Sequence, residues 1–177
     1  MPRRPHLTVV GGRVRSRHGR RAACSTGGAL LLLLLTACGG PVEVGEVELS
    51  GTDREACAAF AEDLPETLAE QERVEIEPAD APAAAYGDPP IVVRCGVGVP
   101  EGFDLTASCE IANGVGWYMP EEQYTDQDLD QTLTTAGYRP RVEIRVPAGY
   151  RPNAGAAAMA VLAEPVKEHL TLEDDCD

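Results

Sequence analysis

Aromatic side chains make up only 5% of the 177 residues, with one tryptophan among them. A core with so few large rings has to come from Val, Leu, Ile and Ala, and such a core is modest. Histidine is scarce too: of three, only His169 lies beyond residue 37. Serine in that region is confined to Ser50 and Ser108, and neither sits in a Gly-x-Ser-x-Gly elbow. Nucleophilic catalysis needs a base beside its nucleophile, so these shortages argue against it. Phosphate loops and dinucleotide fingerprints are missing, and no cofactor is implied. Basic charge is also unevenly spread. Residues 1–37 hold seven of the 15 Lys and Arg and no Asp or Glu, which leaves eight basic against 29 acidic side chains from residue 38 on, a formal −21. A surface of that sign repels the phosphates of nucleic acid, so no nucleic-acid partner is expected.

What is present first is an address. An arginine-rich stretch runs into Ala29 and the six leucines 30–35, then Thr36-Ala37-Cys38-Gly39. Basic region, short apolar run and small residues describe an export signal over 1–37. At about nine residues the apolar part is too short to stay as a membrane span, which takes roughly 20. Leu35-Thr36-Ala37-Cys38-Gly39 resembles the lipobox of bacterial lipoproteins. That resemblance implies cleavage before Cys38, lipid attachment to its sulfur, and a chain held on the outer face of the cytoplasmic membrane. Two acyl chains give the stable anchoring that one does not.

Residues 38–51 read as a tether punctuated by Gly and Pro, whose twelve or so flexible residues reach roughly 20 Å. Residues 52–177 read as a single domain. Thr52-Asp53-Arg54-Glu55 matches a capping box and opens a helix with Ala56, Cys57, Phe60 and Leu64 on one stripe. Residues 71–77 alternate weakly, and residues 79–90, rich in Ala and Pro, read as a loop. Ile91-Val92-Val93-Arg94-Cys95 has the composition of a central strand. Val115, Trp117 and Met119 alternate, residues 129–135 are β-prone, and Val142, Ile144 and Val146 keep the cleanest period of two. Asn153 is placed to cap a last helix striped by Ala158, Leu162 and Val166, with a break expected near Glu164 because Pro165 follows. Helix, strands, helix with short connections predicts an α+β domain: an antiparallel sheet of about four to five strands carrying an N-terminal and a C-terminal helix.

Four cysteines lie beyond Cys38: Cys57, Cys95, Cys109 and Cys176. Outside the membrane such a set is a disulfide framework with three pairings open. No Cys-x-x-Cys pair is present, so no metal site is expected from them. Cys57 followed by Leu64-Pro65, then Tyr86-Gly87-Asp88-Pro89-Pro90, Ile91-Val92-Val93-Arg94-Cys95-Gly96-Val97 and Gly114-Val115-Gly116-Trp117, together resemble an actinobacterial lipoprotein family of unknown function, number thirty-five-fifteen of the domain-of-unknown-function series. Tyr86 stands where that family usually has Trp. The resemblance implies a Cys57–Cys95 bridge, since the family commonly keeps those two, and Cys109–Cys176 by remainder. It implies architecture and address but no activity.

Binding residues are sought among Asp88 in its Gly-Asp-Pro-Pro turn, Arg94, Trp117, and Arg141 with Arg145, which share a strand face with Glu143. Trp117, at strand spacing with Val115 and Met119, also reads as core. Asp126-Gln127-Asp128-Leu129-Asp130 begins like a calcium loop, but Gln131 and Gly137 occupy the positions that need Gly and Glu. The expectation is a non-catalytic, lipid-tethered domain of the cell envelope that binds a protein or glycan. The alternative is a small carboxylate-dependent envelope hydrolase built around Asp88.

Overall fold

The computed structural model describes residues 40–49, 51–104 and 106–174, all within the compact unit Cys38–Asp177. Cys38 and Cys176 lie outside the described residues, as do residues 1–37, read above as an export signal. In chain order the elements are β1 (Val42–Glu43), α1 (Gly51–Glu62), β2 (Thr67–Leu68), β3 (Gln71–Val74), β4 (Ile76–Glu77), β5 (Ala83–Tyr86), β6 (Ile91–Val97), β7 (Cys109–Ala112), β8 (Val115–Tyr118), α2 (Glu122–Thr125), β9 (Gln131–Thr135), β10 (Tyr138–Arg139), β11 (Arg141–Val146), α3 (Asn153–His169) and β12 (Thr171–Leu172).

The α+β class holds, but the sheet is larger than the four to five strands expected. Eight strands run in the order β2-β3-β5-β6-β11-β9-β8-β7, and every neighbouring pair is antiparallel. At its centre β6 and β11 pair over Val92↔Arg145 to Val97↔Arg141, with a bulge between Arg141 and Val142. Val93, Cys95, Val142, Ile144 and Val146 point to the face that carries α1 and α3, and they join Cys57, Phe60, Leu162 and Val166 in one buried cluster. The Cys57–Cys95 disulfide ties α1 to β6 through that cluster. Closing a loop of 38 residues stabilises the fold by about 4 kcal/mol on the chain-entropy estimate, a large share for a core of this size.

Three expectations are corrected. Residues 83–86, within the stretch read as loop, form β5, buried at all four positions. Three alanines give no alternation because both faces of this strand are covered, and alanine carries no β preference to announce it. Residues 42–49 are not a free tether. β1 pairs in parallel with β4, Val44 is buried, Leu49 packs on the core and Arg94 Nη1 donates to the Val44 carbonyl at 3.3 Å. Finally, α3 runs through Pro165 without a break. The carbonyl that loses its donor belongs to Val161, an exposed residue, while burial of Leu162, Ala163 and Val166 holds the turns on either side.

Candidate functional site

Among the described residues lies an open groove of about 1320 Å³. Three segments of the chain form it. Arg54, Ala58, Ala61 and Glu62 lie at helical spacing on one face of α1, residues 46–49 make a second wall, and the chain from Arg73 to Ala83 makes the third. The two alanines keep the helix wall low, and Val47, Val74 and Ile76 give the groove apolar strips. Its charge is lopsided. Glu46, Glu48, Glu62, Glu75, Glu77 and Asp80 face it, all exposed, against Arg54 and Arg73. Both arginines are already engaged, Arg54 with the Leu49 carbonyl and Arg73 Nη1 with the Leu64 carbonyl at 3.2 Å. Among the described residues the lining contains no Ser, Thr, Cys, His, Lys or Tyr. Such a trough offers carboxylates and short apolar contacts to whatever enters it.

None of the residues singled out from the sequence lines this groove. Asp88 is exposed in the turn between β5 and β6, where Gly87 takes φ +79°. Trp117 is buried in the core, with its Nε1 sealed from solvent and unbonded. Arg94 Nη2 donates to Glu143 Oε1 at 2.7 Å, and Arg145 Nε lies 3.5 Å from the same oxygen. One carboxylate thus serves both. Arg141 diverges from Arg145 at the β11 bulge: it is only 7% exposed and sits 5.5 Å above the Phe103 ring. Burial lowers the pKa of its guanidinium from the ordinary value, and the neighbouring Arg139 lowers it further, while Glu173 and Asp174 oppose the shift. The arginines therefore do not gather into one anion patch. Cys109, on β7, is disulfide-bonded, and the residue expected as its partner, Cys176, lies outside the described residues.

The groove escaped sequence reading because no single segment carries it. One signal was available: Val42, Val44, Val47 and Leu49 are buried or half-buried while Glu43, Glu46 and Glu48 are exposed, an alternation interrupted only at Gly45-Glu46. Among the described residues no helix is long and apolar enough to cross a membrane. A family model described as "Protein of unknown function (DUF3515)" matches residues 28–174. No curated protein and no solved structure matches the chain.

Proposed function

We propose, for a chain that belongs to the family of proteins of unknown function DUF3515, a role as a lipid-anchored, non-catalytic binding domain of the cell envelope. In this reading Cys38 carries the lipid and the domain stands on the outer face of the cytoplasmic membrane. Its acidic groove takes an extended, lysine- or arginine-bearing segment of a neighbouring envelope protein. The observation that carries the proposal is the groove's lining: six exposed carboxylates around short apolar strips, with both of its arginines committed to backbone carbonyls. A cationic segment placed there gains charge-assisted hydrogen bonds and steering from the whole acidic surface.

Two further features support the address. The Leu35-Thr36-Ala37-Cys38-Gly39 sequence has the form that lipoprotein processing requires, and the Cys57–Cys95 disulfide suits an oxidising compartment. The hydrolase alternative, built around Asp88, would have to draw on the groove's carboxylates as well. A general acid, however, is kept protonated by an apolar wall, and every carboxylate on this groove is open to solvent. Asp88 stands outside it.

The test uses the whole chain in its own membranes. An alkyne fatty acid should label the wild type and not Cys38→Ala. A photo-crosslinker at Glu75 should trap a basic partner, and replacing Glu46, Glu48 and Glu77 by lysine should abolish the adduct. An adduct indifferent to that charge reversal would refute the groove reading. Turnover of peptidoglycan that vanishes in Asp88→Asn with the fold intact would hand the function to the hydrolase.

A further inference from the structure

The end of α3 lies beside the end of α1. Leu64 and Leu170, each one residue past a polar side chain, are buried and fix both helix ends in place. Asp63 and His169 are thereby brought together across 106 positions, with Oδ2 and Nε2 3.3 Å apart. Glu168 completes a triangle. One ligand atom from each of Asp63, Glu168 and His169 lies within 4.8 Å of the other two.

We infer that these three side chains form a binding site for one divalent transition-metal ion of the zinc class, clamping the C-terminal ends of α1 and α3. Imidazole nitrogen with two carboxylate oxygens is a borderline donor set that such ions favour over calcium or magnesium. Two bonds of about 2.1 Å span at most about 4.2 Å, so a small rotation of the exposed Glu168 brings all three donors into range. The electrostatics supply an independent argument. Two helix C-termini converge here, each bearing roughly half a negative charge, and α1 has no basic residue in its last turn to offset it. On α3, Lys167 is occupied with Glu164 at 2.9 Å. A dication at this point offsets the two carboxylates and lies favourably against both helix ends. Solvent exposure leaves the remaining coordination positions to water, so the site accepts the ion without a rearrangement of the core.

The experiment titrates Zn²⁺ into the untagged full-length chain by calorimetry, with Co²⁺ absorption as a second readout. The expected result is one equivalent bound through the site, with a rise in melting temperature. His169→Ala and Glu168→Gln should each weaken binding by at least the about 10–100-fold that loss of even a supporting partner costs, and should cancel the thermal shift. Glu168 is exposed, so its variant tests the ligand without threatening the fold. Affinity unchanged in both variants, or no saturable uptake by the wild type, would overturn the assignment. So would binding that survives His169→Ala but disappears when His6 and His18 are replaced.

Discussion

Tyr86 has no solvent-exposed surface, and its hydroxyl donates to the Pro65 carbonyl at 2.9 Å. Burial pushes its pKa up to about 12, Arg73 pulls it down in part and Glu66 raises it slightly. In the unfolded chain the phenol returns to its ordinary 10.0. Between those values the folded protein keeps a proton that the unfolded chain releases. Its contribution is complete below pH 10 and is lost as the pH climbs towards 12, on the order of 2 kcal/mol in all. Tyr86→Phe should lose about 1 kcal/mol at neutral pH with the hydrogen bond. It should also flatten the fall in urea-unfolding stability between pH 10 and 12. A variant whose stability drops as steeply as the wild type there would show that another group titrates. Residue by residue, the sequence was most legible where chemistry and burial coincide. Cys57, Phe60, Ile91 and Val93 read as core and are core. Arginine was least legible: Arg94, Arg141 and Arg145 look alike in the sequence, yet one staples Val44, one is buried under Phe103 and one is open to solvent.

Elements show the same division. α1, β6 and β11 were readable because each buries a stripe or a face, and burial leaves its period in the sequence; β9 was readable only from its β-prone composition. β5 left no period, being covered on both sides. β7 was missed although its hairpin carries a standard signal: Ala112 pairs with Val115 across Asn113-Gly114, which take φ +48° and +83°. The packing of residues 42–49 depends on Gly96, at φ +90°, whose missing Cβ leaves room for Leu49; an added Cβ would come within 2.7 Å of that side chain. Gly96→Ala should therefore cost about 1–2 kcal/mol from the left-handed backbone alone. It should also loosen the segment, so that the Val42 and Val44 amides, bonded to the Glu75 and Glu77 carbonyls at 2.8 and 3.1 Å, exchange faster in hydrogen–deuterium experiments. Gly98→Ala is the control, since nothing lies within 4 Å of its added Cβ. Exchange at Val42 and Val44 that is equally slow in both variants would mean that Leu49 does not hold the segment down.

For the whole molecule, the consequence of that packing is a short leash. The groove could not be read from any one segment, because residues 46–49, 54–62 and 73–83 meet only in three dimensions, and the leash showed only as the alternation over residues 42–49. Under the proposed attachment, only residues 38 to 41 separate the lipid from β1, and four residues reach at most about 14 Å. The roughly 20 Å coil expected from the composition of 38–51 is thus cut down, and the proposed anchor would hold a domain of formal charge −21 against any anionic headgroups that repel it. On so short a leash the domain would stay near the bilayer surface. Trp117, the sole tryptophan and buried in the core, can report that distance. Energy transfer from Trp117 to dansyl-labelled headgroups should be clear when the lipidated chain is seated in vesicles, and absent for Cys38→Ala. Inserting twelve Gly and Ser residues between Gly40 and Pro41 adds a mean span of roughly 20 Å. Transfer should fall, and raising the salt concentration should restore part of it by screening the repulsion that extends the longer tether. If the insertion leaves transfer unchanged, something other than the docked segment sets the height of the domain above the membrane.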